Sequence, residues 1–176
     1  MVKKNSFFII GVFWLIIIFG FISVKEFTLR TGREVLLKTA PVDPRDLFRG
    51  DYVILTYDIS TLNLDNILAD RVGFGVKDRV YVSLDTKTEY AIPQMIYSSR
   101  PKNEALFIRG IVKNINGGIL NVEYGIESYF VPEGKGKRIE SARGKNLGVK
   151  VSIDKSGNAA IKMLLLDGKV FSFTDE

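Results

Sequence analysis

From Phe7 to Val24 the chain runs for 18 residues without a charge, and Asn5 and Ser6 lengthen the uncharged stretch to 20. At about 1.5 Å per residue, roughly 20 such residues cover a hydrocarbon core of about 30 Å. Both faces of the stretch are apolar, so no polar stripe marks a solvent side as it would on a helix of a soluble core. The expectation is a transmembrane anchor over residues 7–26. Lys3 and Lys4 precede it and no acidic residue does. The positive-inside bias then places residues 1–6 in the cytoplasm and the rest of the chain beyond the membrane. Lys25, Arg30 and Arg33 on the far side, diluted by Glu26 and Glu34, keep that bias modest. A cleaved signal peptide would have a shorter core, about 7–15 residues, ending in small side chains. The exit reads Phe21-Ile22-Ser23-Val24-Lys25-Glu26, bulky where a peptidase needs small residues, so the anchor is expected to stay uncleaved.

About 150 residues lie beyond the anchor, the usual size of one domain with one core. There is no cysteine, so that core stands without disulfides. The formal charge is +5, of which Lys3 and Lys4 supply two, leaving +3 for the remainder. So balanced a domain gives no argument for nucleic acid, which needs a concentrated basic face.

Residues 27–33 are expected to be the frayed end of the helix and a short polar neck closed by Gly32, with an extracytoplasmic β domain over 34–176. Glu34 to Thr39 has strand composition, and Pro41 and Pro44 end it because proline cannot donate to a ladder. Asp51 to Ile59 is the clearest strand: Val53, Leu55, Tyr57 and Ile59 fall on one face and Tyr52, Ile54, Thr56 and Asp58 on the other. Leu62, Ile67 and Leu68 are loosely helically spaced, which suggests a short helix over Thr61–Arg71. Three hairpins come next. Arg79–Leu84 is expected to pair with Glu89–Ile92, Ala105–Val112 with Ile119–Tyr124 around Asn116-Gly117-Gly118, and Val149–Ile153 with Ala159–Leu164 around Asp154–Asn158. Asp167-Gly168-Lys169 then turns into Val170–Phe173. The glycine-rich pairs suit the positive-φ positions of hairpin turns. Roughly seven or eight short strands joined this way indicate an all-β domain, an antiparallel sandwich or partly open barrel with one or two short helices.

One string is more specific than these patterns. Gly50, Asp51, Tyr52, Leu55 and Tyr57 match without departure the motif that names the bacterial GDYxxLxY family, which this chain resembles. A second block, Tyr124-Gly125-Ile126-Glu127 followed by Tyr129-Phe130 and Pro132-Glu133-Gly134-Lys135-Gly136, is also similar to the family, as is Ile108-Arg109-Gly110. The likeness runs from the anchor to about Glu140 and weakens towards Glu176. It implies one N-terminal membrane anchor with a single β-rich domain outside. It also implies an integral-membrane partner, since members are often encoded beside polytopic membrane proteins. It supplies no activity.

The candidate interaction residues are Asp43, Arg45, Arg49, Gly50, Asp51, Tyr52, Leu55, Tyr57, Arg109, Gly110, Glu127 and Glu133. At the Arg49-Gly50-Asp51 corner, glycine permits a sharp turn into the strand. Asp51 can accept hydrogen bonds from loop amides, and Arg45 or Arg49 can pair with Asp43, Asp46 or Asp51. The same charged loop suits docking, since loops on rigid scaffolds often carry function. The Arg-Gly-Asp tripeptide resembles an adhesion signal, but here its aspartate opens a strand. A partial likeness to type I signal peptidases aligns Pro44, Leu47, Gly50 and Asp51 yet puts Pro41 where the nucleophilic serine belongs. Proline has no hydroxyl, and no serine–lysine pair replaces it.

With no histidine and no cysteine, the commonest zinc ligands and the usual base near neutral pH are missing. No glycine-rich phosphate loop follows a strand and opens a helix. Glu123 and Glu127 are a carboxylate pair that could in principle do acid–base work, though acids on a β surface are usually solvated. The basic run Lys135 to Lys145 could touch lipid phosphates, or be a solvated loop with internal ion pairs. The sequence therefore points to a non-enzymatic accessory or scaffold subunit that binds no cofactor. Its expected partners are the lipid bilayer and an integral-membrane protein, not nucleic acid, and its oligomeric state is left open. The alternative is an envelope ligand-binding module whose mouth lies near Asp43–Asp51 and Tyr129–Glu133. A less favoured one is a signal-peptidase-like fold without catalytic residues.

Overall fold

The computed structural model describes residues 4–39, 52–103, 106–131 and 147–171. Helix α1, Lys4–Thr31, includes a 25-residue candidate span, Phe7–Thr31, long and apolar enough to cross a membrane. Among the described residues it is followed by twelve strands: β1 (Arg33–Lys38), β2 (Tyr52–Ile54), β3 (Thr61–Asn63), β4 (Leu68–Ala69), β5 (Arg79–Asp85), β6 (Ile92–Tyr97), β7 (Phe107–Asn116), β8 (Ile119–Glu123), β9 (Ser128–Phe130), β10 (Leu147–Ile153), β11 (Ala159–Leu166) and β12 (Lys169–Val170). The domain is all-β. A six-stranded sheet in the order β3-β8-β7-β5-β6-β4 curls into a half barrel. A four-stranded sheet, β1-β10-β11-β12, and the short ribbon β2-β9 complete it. Among the described residues all pairings are antiparallel except the two-residue contact of β4 with β6.

The core lies between the inner faces of these sheets. Val35, Leu37, Val149, Val151 and Leu164 face it from the four-stranded sheet, and Val80, Val82, Ile108, Val112 and Leu120 from the half barrel. The hairpins at Asn116-Gly117-Gly118 and Asp154–Asn158 fall where the turn residues put them. Gly117 (φ 54°) and Gly118 (φ 80°) are both left-handed, the conformation a two-residue hairpin turn needs and a β-carbon resists.

Four expectations are corrected. The strand expected over Asp51–Ile59 keeps its alternating burial, with Val53, Leu55, Tyr57 and Ile59 all buried and Ile54 exposed. Its ladder, however, lasts only three residues, Tyr52–Ile54 against Ser128–Phe130. Tyr57 then bridges Thr39, and a single 3-10 turn, Asp58–Ser60, redirects the chain. The helix expected over Thr61–Arg71 is absent: Leu62 is wholly buried and pairs with Leu120 in a ladder, while Leu68 is exposed. A helical spacing of three residues carries too little information to outweigh a free sheet edge. The partner of β5 is Ile92–Tyr97, not Glu89–Ile92, and a register shift between Ser83 and Leu84 accommodates Pro93 opposite Leu84. Finally, the stretch expected to be a frayed neck is helix to Thr31, and one residue, Gly32, separates it from β1.

That last correction has a visible cause. The hydroxyl of Ser152, wholly buried in β10, donates to the backbone oxygen of Thr28 at 2.7 Å, and Thr28 donates to Asp154 at 3.1 Å. Gly32 closes the turn with its amide 3.0 Å from the same Thr28 oxygen. Its φ is not left-handed; it is glycine because a β-carbon would lie 2.4 Å from Ser152 Oγ and 2.6 Å from Thr28 O. The helix is thus clamped to the sheet, not hung from it. Exposed Glu26 and Arg30, four residues apart at 2.5 Å, contribute the few tenths of a kcal/mol usual for such pairs.

Burial raises the cost of ionising Asp154. The side chain and amide of Asn158, the amide of Ser156 and the Thr28 hydroxyl all donate to the carboxylate, and together they hold its pKa below the ordinary 3.8. A depressed folded-state pKa means the stabilisation is complete above the unfolded value near 4 and is lost as pH falls through the folded one. Melting temperature in micelles is therefore expected to fall as pH drops below about 4. Asp154→Asn should flatten that part of the profile, and an identical acid limb in both proteins would exclude Asp154 as its source.

Candidate functional site

The motif residues that the structure describes meet at one place. Tyr57 is wholly buried, and its hydroxyl donates to Ile126 O at 2.6 Å. Leu55 is buried beside it, and its amide donates to Glu127 O at 2.7 Å. The Glu127 carboxylate accepts from the amides of Tyr124 (2.5 Å) and Gly125 (2.9 Å), which holds the chain in the turn between β8 and β9. Tyr124, another buried phenol, donates to Ile59 O at 2.6 Å, just past the motif strand. The two blocks of the sequence are therefore stitched together by paired phenol-to-carbonyl bonds running in opposite directions. Burial, reinforced by the Glu127 carboxylate, pushes both phenol pKa values far upward, so both stay protonated as donors.

Gly110 serves the same junction. A β-carbon there would come within 2.3 Å of Val122 Cγ1 and 2.9 Å of the Tyr124 ring, so glycine lets the ring cross β7. Arg109 precedes it on the outer face of the half barrel. Its amide finds no strand partner on that side, because β8 pairs only with β7 from Ile111 onward. Gly157 of the β10–β11 turn supplies the acceptor, at 2.8 Å. Gly157 is left-handed (φ 82°), and a β-carbon would press the Phe107 ring at 2.9 Å.

The side chains of Arg109 and Glu127 line a cavity of about 430 Å³ that opens between the half barrel and the end of α1. Lys25, Arg79 and Glu123 share its wall. The Lys25 ammonium lies 3.4 Å from Ala159 O, linking the helix to β11 across the opening. Glu123 and Glu127 share the cavity, but Glu123 is 3.0 Å from Lys113 and Glu127 is committed to two backbone amides. Neither has the arrangement of a general acid or base with a free proton-transfer partner. Among the described residues no three carboxylates gather as a cation site requires.

Asp43, Arg45, Arg49, Gly50, Asp51 and Glu133 lie outside the described residues, as does the basic run Lys135–Lys145, and Tyr52 is described by its backbone alone. The positions from which these segments leave are described, and they are neighbours. Thr39 donates to Leu147 O through both its amide (3.1 Å) and its hydroxyl (2.7 Å), while Tyr52 pairs with Phe130. The described residues that flank 40–51 and 132–146 are therefore paired with each other, Thr39 with Leu147 and Tyr52 with Phe130. These ends lie at the opposite end of β1 from the helix: Arg33 pairs with Ile153 and Lys38 with Gly148, five steps of about 3.3 Å. Tyr129 packs against the core from this ribbon, and Phe130 points outward with 72 % of its surface exposed.

Sequence reasoning missed Lys25, Arg79 and Tyr124. Tyr124 had a signal, an aromatic residue ending a strand across from a glycine in the paired strand. Arg79 had only its place on the polar face of β5, and Lys25 none. A family model described as GDYXXLXY protein matches residues 14–164. No curated protein and no solved structure matches the chain.

Proposed function

The chain belongs to the GDYXXLXY family, and from that premise we propose that it is a non-catalytic accessory or scaffold subunit, held by a single membrane-spanning helix with its β domain on the extracytoplasmic side. The observation that carries the proposal is the clamp between α1 and β10. Thr28 is buried against the sheet and bonded to Ser152 and Asp154, with only Gly32 between helix and strand. A linker would let the domain sample many heights and orientations over the membrane. A clamped helix fixes both, which suits a subunit that presents one surface to a partner embedded beside it. The surface it presents is the end of the domain from which residues 40–51 and 132–146 leave together, about 17 Å along β1 from the helix. The described motif residues, Leu55 and Tyr57, serve the core, and recognition is assigned to the charged part of the motif.

The test is a gentle-detergent purification of the tagged full-length chain from its native membrane, with stoichiometry by mass spectrometry. A polytopic protein recovered at fixed ratio is the expected result. Asp51→Asn, which keeps the side chain's shape and removes its charge, should abolish that co-purification while shifting melting temperature by less than about 2 °C, the shift made by about 0.5 kcal/mol in a chain of this size. A chain recovered alone, or a co-purification indifferent to Asp51→Asn, would overturn the scaffold reading of this end.

A further inference from the structure

We propose that the base of the anchor is a binding site for the phosphate of an anionic membrane lipid, built from cations the fold gathers around the last turns of α1. The inference rests on the membrane-spanning reading of α1, which sets the height of these turns. The uncharged stretch ends at Val24, so Lys25 stands where hydrocarbon gives way to headgroups. Two cavities open at the last turns of the helix, the first lined by Lys25 and Thr28 and the second by Thr31. The first, between the half barrel and α1, carries Lys25, Arg79 and Arg109. The second, about 580 Å³, opens beside Thr31 and carries Arg33, Lys102 and Lys155.

The acids on these walls are already committed inside the protein. Glu123 is paired with Lys113, Glu127 holds two backbone amides, and Asp154 is held by Thr28, Ser156 and Asn158. Among the described residues, Arg33, Arg79, Arg109, Lys102 and Lys155 have no carboxylate partner. Arg79 and Arg109 also share one face of adjacent strands. Tyr81 pairs with Arg109 and Arg79 with Ile111, which makes the two arginines diagonal neighbours whose strand positions are about 7–8 Å apart. Like charges on neighbouring stems disfavour each other, and an anion held by both removes the repulsion. A phosphate diester fits, because each planar fork can grip two of its oxygens. The headgroup of an anionic lipid delivers that group at this height, with its acyl chains alongside α1.

The test uses the full-length chain in discs of equal phosphatidylglycerol and phosphatidylcholine, with the lipids that stay bound after release counted by native mass spectrometry. Phosphatidylglycerol should be enriched on the unaltered chain. Arg79→Gln should lower that enrichment about fivefold, and the Arg79→Gln/Arg109→Gln pair further, from the usual worth of one cation near an anionic surface. Lys87→Gln, on an exposed turn past the far end of β5, should leave it unchanged. Equal retention of both lipids, or equal loss with Lys87→Gln, overturns the proposal. So does full displacement by millimolar inorganic phosphate, which would make this a site for a free anion. Alkaline carbonate extraction reads the anchor separately. A chain that stays in the membrane without lipid preference refutes the headgroup site alone, and a chain that is released refutes the anchor and the site together.

Discussion

Tyr57→Ala is expected to destabilise the β domain by about 3–5 kcal/mol, the range for emptying a fully buried aromatic site. Against a total stability of about 5–15 kcal/mol for a domain, this brings much of the chain close to unfolding at growth temperature. The size follows from position: the ring is wholly buried, and its hydroxyl ties the motif strand to Ile126. Tyr57→Phe separates the two contributions. It keeps the ring and leaves the Ile126 carbonyl without its donor, a loss of about 1–3 kcal/mol. Urea midpoints of the full-length chain in micelles would measure both. If Tyr57→Phe matches the unaltered protein while Tyr57→Ala does not, the ring alone matters and the stitching of the two motif blocks is incidental.

Gly32→Ala is expected to have the next largest effect, about 3 kcal/mol, the upper part of the range for overpacking. A methyl group there meets Ser152 Oγ at 2.4 Å, Thr28 O at 2.6 Å and the Ile153 carbonyl carbon at 2.9 Å. Two of the three are backbone atoms, which cannot rotate away. Relief from Ser152 and Ile153 therefore requires the helix to lift from β10, breaking the Ser152 and Asp154 bonds to Thr28, and relief from Thr28 O requires the turn at residue 32 to open. Hydrogen exchange would show this as faster exchange at the Gly32 amide, which in the intact clamp donates to Thr28 O. Ser152→Ala in the Gly32→Ala background removes only the closest contact, so partial recovery is the expected outcome. Full recovery would mean that the serine hydroxyl alone forbids a side chain at residue 32. Unchanged protection in Gly32→Ala itself would show that the clamp does not depend on close approach at Gly32, and would remove the support for rigid presentation.

Much of the fold was legible because it depends on neighbours in the chain. The apolar length of Phe7–Val24 dictates a helix wherever it is placed. The alternation of Val53, Leu55, Tyr57 and Ile59 against Ile54 and Asp58 fixes which side chains go inward, and it did so even where no ladder forms. Asn116-Gly117-Gly118 and Asp167-Gly168 set hairpin turns by their own backbone preferences.

Strand pairing was less legible, because a period of two says which face is buried and nothing about which edge is free. The ladder of β2 ends at Ile54, with one further bond from the Leu55 amide to Glu127 O, and Leu62 joins a sheet because the edge of β8 is open to it. The candidate site divides the same way. Leu55, Tyr57, Arg109, Gly110 and Glu127 could be named from motifs, but their meeting at one junction depends on contacts between residues far apart in the chain, such as the 69 residues that separate Tyr57 from Ile126. The clamp depends on a longer separation still, since Thr28 meets Ser152 across 124 residues. By itself the sequence determined an apolar helix, a β domain and the inward faces of its strands, all of which follow from local periodicity. Only the tertiary structure decided that helix and sheet are clamped and that Lys25, Arg79 and Arg109 surround one cavity, because such contacts depend on closing long loops, and no local pattern encodes where a loop will close.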